Sequence, residues 1–116
     1  MTRRPAGGFS IVTPAQAGAG LPADGEQYAV VLSHGSLELG WYAPRIVDDQ
    51  EPHERDELYV VAAGSARMVV DGAAERAVER GDAIFVASGR AHRFSAMSDD
   101  FATWVAFYGP AGGEEP

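Results

Sequence analysis

The segment from His53 to Gly64 reads HERDELYVVAAG, and a second segment from Gly81 to His92 reads GDAIFVASGRAH. Each segment combines a histidine with a run of apolar residues and with glycine, which permits tight turns. The first segment also carries Glu57. If the two runs are strands of one β structure, they can bring two imidazoles and a carboxylate to a single point on a rigid scaffold. The two segments therefore predict a β protein with a candidate metal site.

The length and composition of the chain limit what the protein can be. At 116 residues, 46% of them hydrophobic, the chain is expected to form one folded domain. Its formal net charge of -8 gives no electrostatic basis for binding nucleic acid or an anionic membrane, both of which need clustered Lys and Arg. The absence of Cys excludes thiolate chemistry. A small molecule or a metal ion is therefore the expected partner.

The sequence carries no sign of a targeting or membrane segment. Arg3 and Arg4 are followed by Pro, Ala and Gly rather than by the apolar stretch of a secretory signal. The chain also lacks an apolar run of about 18 residues, the length needed to span a membrane as a helix. We expect a cytoplasmic protein that does not associate with membranes.

Short runs with high β propensity follow one another from Tyr28 onward, separated by turn-forming residues such as Asp71 and Gly72. These turns predict that neighbouring strands pair antiparallel. Many short strands predict an all-β sandwich, jelly roll or barrel. We predict strands at 28–33, 37–43, 57–63, 66–71, 74–79, 83–87, 92–97 and 101–108, and no helix.

The same pattern predicts the division of the chain. Residues 1–27 are rich in Ala, Gly and Pro and are expected to form an irregular arm with one short strand near 9–12. Residues 28–108 are expected to form the β barrel, and the acidic residues 109–116 a flexible tail.

Strand parity assigns the side chains of the central strand to two faces. If Glu57 points inward, Tyr59 and Val61 do too, and Leu58 and Val60 lie on the opposite face. Because that opposite face is apolar, we expect another sheet or a second copy of the chain to cover it, which predicts a homodimer. Parity also gives Asp56 an outward, solvated position. Residues 37, 39 and 41 are expected to line the pocket.

The two segments resemble the motifs of the cupin superfamily. The first cupin motif reads His-x-His, three or four residues, Glu, six residues, Gly, and His53, Glu57 and Gly64 fit its later part. Glu51 occupies the place of its first histidine. In the second motif, Gly81, Gly89 and His92 match, while Ala87 and Ala96 replace a proline and an asparagine. The spacing of the two motifs is similar to that of small single-domain cupins.

The resemblance implies an antiparallel jelly-roll β barrel, also called a double-stranded β helix, with a metal ion bound by His53, Glu57 and His92. Glu51 would be a possible fourth ligand through oxygen. The chemistry of the residues agrees, because two imidazoles and one carboxylate suit a divalent ion such as Fe or Zn, with Mn and Ni also allowed. Two alternatives stay open: the same residues can form a metal-free hydrogen-bond network, or His53 and Glu57 can be a surface ion pair.

Two functions follow from these expectations. The first is a metal-dependent oxygenase, isomerase or lyase that acts on a small molecule, with Tyr59 as its acid or base because that residue shares a face with Glu57. The second is a non-catalytic module that binds a small ligand as a sensor or carrier, with or without a metal ion.

Overall fold

The computed structural model describes residues 8–21, 27–48 and 50–116. Every strand that the sequence predicts from residue 28 onward is present, with ends within two residues of the predicted ones. The elements are α1 (Pro14–Ala19), β1 (Tyr28–His34), β2 (Leu37–Tyr42), β3 (Asp56–Ala63), β4 (Ser65–Val70), β5 (Arg76–Glu79), β6 (Ala83–Val86), β7 (His92–Ser95) and β8 (Ala102–Tyr108).

The strands form two antiparallel sheets. The larger sheet has the order β1-β2-β8-β3-β6 and the smaller sheet has the order β5-β4-β7. Apolar side chains from both sheets pack together between them, among them Val61 and Val105 from the larger sheet and Met68 and Phe94 from the smaller one. The architecture is the predicted jelly-roll β barrel.

Side chains of β3 alternate between the core and the surface, as parity predicts. Glu57, Tyr59 and Val61 are buried, whereas Leu58 and Val60 are exposed on the outer face of the larger sheet. The alternation fixes the direction of Glu57 and Tyr59, because a slip of one residue would turn both toward solvent and the apolar pair toward the core.

Helix α1 lies where the sequence analysis predicts an irregular arm, so the prediction of no helix was wrong. The side chain of Thr13 accepts a hydrogen bond from the backbone N–H of Gln16 at 3.2 Å, and the side chain of Gln16 accepts one from the N–H of Thr13 at 3.0 Å. This capping box, with Pro14 in the first turn, starts the helix despite its shortness. Residues 9–12, predicted as a short strand, have no regular secondary structure.

The helix explains a second difference from the sequence prediction. Trp41 packs against Ala17 of α1 in a small cluster that also contains Ala43 and Ala102, and this cluster is separate from the main core. The pocket is instead lined from β2 by Glu38 and Tyr42, on the opposite face of that strand. The prediction that residues 37, 39 and 41 line the pocket was therefore wrong by one step of strand parity.

Within residues 8–21, 27–48 and 50–116, the structure contains no helix that is long and apolar enough to cross a membrane.

Candidate metal centre

Three side chains from separate parts of the chain converge at one point. They are His53 in the segment before β3, Glu57 on β3 and His92 at the first position of β7. Each offers one ligand atom, and these atoms all lie within 4.8 Å of one another. Nε2 of His92 is 2.9 Å from Oε1 of Glu57, and Nε2 of His53 is 3.9 Å from Oε2 of Glu57. The structure thus places together the three residues that both motifs contribute.

Three features of the fold bring the side chains of His53, Glu57 and His92 together. Glu57 lies on the inner face of the larger sheet, and His92 starts a strand of the smaller sheet that faces it. The turn that precedes β7 is tied to the segment before β3, since the N–H of Gly89 donates to the carbonyl oxygen of His53 at 2.8 Å. The ring of Phe107 packs edge to face against the His53 imidazole, with centroids 4.9 Å apart. These contacts limit the positions that the three side chains can take.

The orientation of His92 is set by its second ring nitrogen. Nδ1 lies 2.8 Å from the carbonyl oxygen of Arg90, which can only accept a hydrogen bond, so Nδ1 carries a proton and Nε2 faces the centre. Burial lowers the pKa of His92, but the hydrogen bonds with Glu57 and Arg90 and the negative charges of Glu57 and Asp48 outweigh burial and raise it. The site therefore favours a positive charge at Nε2.

Tyr59 lies at the same point, with its hydroxyl group within hydrogen-bond distance of three polar side-chain atoms. The phenolic oxygen is 2.9 Å from Oε2 of Glu57, 3.0 Å from Nε2 of His92 and 3.0 Å from Oε1 of Gln50. Burial and the adjacent charge of Glu57 raise the pKa of Tyr59 well above its usual range. The phenol therefore keeps its proton and acts as a hydrogen-bond donor.

The donor chemistry of the cluster fits a divalent cation. Two imidazole nitrogens, a carboxylate and an amide oxygen lie around the hydroxyl group of Tyr59. Ligand atoms about 2.0 to 2.2 Å from a common ion are separated by roughly 3 to 4 Å, and one ligand atom from each of His53, Glu57 and His92 lies within 4.8 Å of the other two. Imidazole nitrogen and carboxylate or amide oxygen are ligands that divalent ions such as Fe and Zn accept in proteins.

The remaining predicted ligand, Glu51, does not join this cluster in the structure. Its side chain is exposed, and the group of convergent ligand atoms consists of His53, Glu57 and His92. The neighbouring residue Gln50 reaches the centre instead, with Oε1 3.3 Å from Nε2 of His53. No motif position marks Gln50 in the sequence, so its contact with the site was missed.

A pocket of about 620 Å³ opens beside the cluster. Its walls are mainly aromatic and apolar, and its charged groups are Glu38, Glu54 and Arg55. The hydroxyl group of Tyr28 donates to Glu38 at 2.8 Å, which holds that carboxylate in the wall. The lining residues are Tyr28, Glu38, Tyr42, Gln50, Pro52, His53, Glu54, Arg55, Tyr59, Val105, Phe107 and Ala111. A pocket of this size and character suits a small molecule with polar and apolar parts.

The C-terminal residues contact the barrel next to this pocket. The N–H of Gly112 donates to the carbonyl oxygen of Glu54 at 2.7 Å, and the N–H of Glu114 donates to a carboxylate oxygen of Asp56 at 2.8 Å. Ala111 thereby forms part of the pocket wall. Gly112 and Glu114, within the segment 109–116 that is predicted as a flexible tail, thus have defined partners in the structure.

Asp56 is buried, so the prediction that it is a solvated charge was wrong. Its carboxylate accepts hydrogen bonds from the N–H groups of Glu114 and Ser88, which lower the pKa of Asp56 below its usual value. Parity places the side chain outside the barrel as predicted, but the returning C-terminal segment covers it. Such a contact joins residues far apart in the sequence and leaves no local pattern.

Residues 42–108 match the family model described as the cupin domain. An uncharacterised protein of Streptomyces coelicolor is 35% identical over 85 residues, which are 72% of this chain and 80% of that protein.

Several solved structures are similar in fold. A cupin 2 conserved barrel domain protein of Salinispora arenicola has a TM-score of 0.66 and 20% identity, covering 87% of this chain and 91% of that one. The DMSP lyase DddQ of Ruegeria pomeroyi has a TM-score of 0.62 and 24% identity, covering 77% of this chain and 51% of that one. At these identities the two structures support the fold alone.

Proposed function

We propose, on the premise that this chain belongs to the cupin family, that it binds a divalent metal ion through His53, Glu57 and His92 and takes a small molecule into the adjacent pocket. One observation carries the proposal: three ligand groups that are distant in sequence converge on the inner side of the barrel, and two of them are almost fully buried. Burying Glu57 and His92 side by side is costly unless a cation is shared between them.

Elemental analysis of protein purified without a His tag tests the metal proposal. We expect close to one equivalent of Fe, Mn, Zn or Ni per chain, because these ions suit mixed nitrogen and oxygen ligands. The double variant His53→Ala, His92→Ala should lose the ion, while His34→Ala, which removes an exposed imidazole, should retain it. Equal metal content in all three proteins would contradict the proposal.

The residues around the cluster would act in distinct ways. When bound, the ion supplies a Lewis acid with open coordination positions. Tyr59 holds a proton at its hydroxyl group within hydrogen-bond distance of Glu57 and His92, so it can donate to a ligand oxygen at the inner end of the pocket. Phe107 restrains the His53 ring and excludes water from one side of it.

An enzymatic role is the first form of this function. We propose a metal-dependent oxygenase, isomerase or lyase acting on a small molecule, with Tyr59 as acid. The similar fold of a DMSP lyase supports the idea that such a barrel can house this chemistry. Product formation from a pool of small metabolites, abolished by His92→Ala, would support it, whereas fully metallated protein without turnover on any pool would count against it.

A non-catalytic ligand-binding module is the second form. It is favoured by the raised pKa of Tyr59, since a phenol that keeps its proton recognises an acceptor more readily than it removes a proton. Thermal shift measurements against the same metabolites distinguish the two forms. Stabilisation by a ligand without turnover supports a sensor or carrier, and turnover supports the enzyme.

The homodimer expected from the sequence stays a proposal. It is supported by exposed apolar side chains on adjacent outer strands, where Leu58 pairs with Phe85 across β3 and β6 and Phe85 is 55% exposed. Burial of such a surface against a second copy would remove it from water. Light scattering at micromolar concentration measures the mass, and a monomer of 12.3 kDa would contradict the dimer.

A further inference from the structure

We infer that Gln50, rather than Glu51, supplies the fourth donor to the ion, through its carboxamide oxygen. This inference rests on the proposed metal site and names an additional residue of it. Oε1 of Gln50 is 3.3 Å from Nε2 of His53 and 3.0 Å from the hydroxyl oxygen of Tyr59, so it lies beside the ligand cluster. Carboxamide oxygens are established ligands of hard divalent cations.

The orientation of the Gln50 amide is fixed by Asp48. Nε2 of Gln50 donates to Oδ2 of Asp48 at 2.7 Å, and the carboxylate can only accept, so the nitrogen must face Asp48. The two atoms of the amide point in different directions from its carbon, and the oxygen therefore faces the cluster. The hydrogen bond from Tyr59 to Oε1 agrees with this assignment.

Asp48 is itself held from several sides. Its side chain is 3% exposed and accepts hydrogen bonds from the N–H of Phe94 at 2.7 Å, the hydroxyl group of Tyr42 at 2.5 Å and the N–H of Gln50 at 3.1 Å. Phe94 belongs to β7, the strand that begins with His92. Asp48 therefore couples the position of Gln50 to the strand that carries one of the proposed ligands.

This arrangement is typical of outer groups that orient a metal ligand. A carboxylate that accepts from the amide N–H draws electron density toward the carbonyl oxygen, which makes that oxygen a better donor. Glu51 lies on the surface and has no place in the cluster of ligand atoms. With Gln50 as donor, the set consists of two imidazoles, one carboxylate and one neutral oxygen, so a bound divalent ion keeps part of its charge for an anionic or polar ligand.

Cobalt titration of matched variants tests the inference. Co²⁺ is added to metal-free protein in competition with a chelator, and the visible absorption of the bound ion reports on its donor set. We expect Gln50→Met, which keeps the length of the side chain and removes the oxygen, to weaken Co²⁺ binding about 10- to 100-fold and to change the spectrum. Glu51→Met, which removes the oxygens of Glu51 in the same way, should leave both within experimental error of wild type.

Asp48→Asn provides a second readout of the orienting contact. It should weaken binding less than Gln50→Met does, with circular dichroism used to confirm that the variant is folded. Wild-type affinity and spectrum in Gln50→Met, or a loss in Glu51→Met as large as that expected for Gln50→Met, would overturn the inference. If wild-type protein fails to bind Co²⁺, Zn²⁺ or Fe²⁺ at all, the proposed metal function itself is contradicted, and this outcome is distinct from the first.

Discussion

Nε2 of His92 lies 2.9 Å from Oε1 of Glu57, although the two residues belong to different sheets of the barrel. With Nδ1 of His92 committed to the Arg90 carbonyl, the neutral imidazole would direct a lone pair at a carboxylate oxygen. Only a cation between or on these groups, either a proton or a metal ion, makes this contact favourable. The contact between His92 and Glu57 therefore favours a cation inside the barrel, which supports the proposed metal site.

Replacing Glu57 with Gln removes the only carboxylate in the convergent group while keeping its volume. We expect the affinity for Zn²⁺ to fall by more than about 100-fold. Removing a residue that only hydrogen-bonds a metal ligand already lowers metal affinity about 10- to 100-fold, and Glu57 is proposed to bind the ion directly. Competition with a chromophoric chelator measures the affinity. Glu54→Gln, which removes the same charge at an exposed site of the pocket wall, should stay within about threefold of wild type. Equal affinities for the two variants would show that the charge of Glu57 contributes no more to ion binding than the charge of Glu54, contrary to this expectation.

Replacing Tyr59 with Phe leaves the acceptors of the cluster without a shared proton donor. Tyr59 is almost fully buried, so we expect the free energy of unfolding of metal-free protein to fall by about 1 to 3 kcal/mol. Urea denaturation in the presence of a chelator measures the change. Tyr108→Phe, at the end of β8 and only partly buried, should cost less. A Tyr59→Phe variant as stable as wild type would show that the hydroxyl group does not hold the cluster together.

Much of the fold and of the site follows from local sequence. The alternation in β3 places Glu57 and Tyr59 inward, and the spacing of the two segments brings His53 and His92 to the same point. Neither Gln50 nor Asp48 could be assigned in this way, because their positions depend on hydrogen bonds to Tyr59, Tyr42 and the backbone of β7. Such contacts exist only after the chain has folded, and they lack a period or a motif.

Tyr28 provides a test of burial through the pH dependence of stability. Burial, followed by the hydrogen bond and charge of Glu38, raises its pKa well above the usual value of 10.0. Because the folded-state pKa is the higher one, the stabilising contribution is complete below pH 10 and is lost as the pH rises above it. Urea denaturation of wild type and Tyr28→Phe at pH 9 to 11 measures this. Above pH 10, the free energy of unfolding of the wild type should fall more steeply with pH than that of Tyr28→Phe. The difference in slope should correspond to at most about one proton released on unfolding.

A matched experiment under denaturing conditions supplies the control for Tyr28. In concentrated urea, absorbance titration near pH 10 should detect one more ionising tyrosine in wild type than in Tyr28→Phe. In folded protein the two curves should coincide up to the onset of unfolding. A difference between the folded proteins near pH 10 would show that the Tyr28 hydroxyl group is accessible to solvent.

The carboxylate of Asp56 helps to hold the C-terminal segment against the barrel. Asp56 accepts hydrogen bonds from the N–H groups of Ser88 and Glu114, while Gly112 donates to the backbone of Glu54. Asp56→Asn replaces one acceptor oxygen with a donor, so at least one of these two N–H groups loses its partner. We expect amide hydrogen exchange at Glu114 and Gly112 to accelerate about tenfold or more.

Asp99→Asn, at an exposed turn before β8, is the matched control and should leave exchange in the segment unchanged. Ala111 lies in the pocket wall, so release of the segment should also weaken binding of a small molecule while metal content is preserved. Exchange at Glu114 that is as slow in Asp56→Asn as in wild type would mean that Asp56 does not hold the segment. Faster exchange with unchanged ligand affinity would mean that the segment is held there but does not shape the pocket.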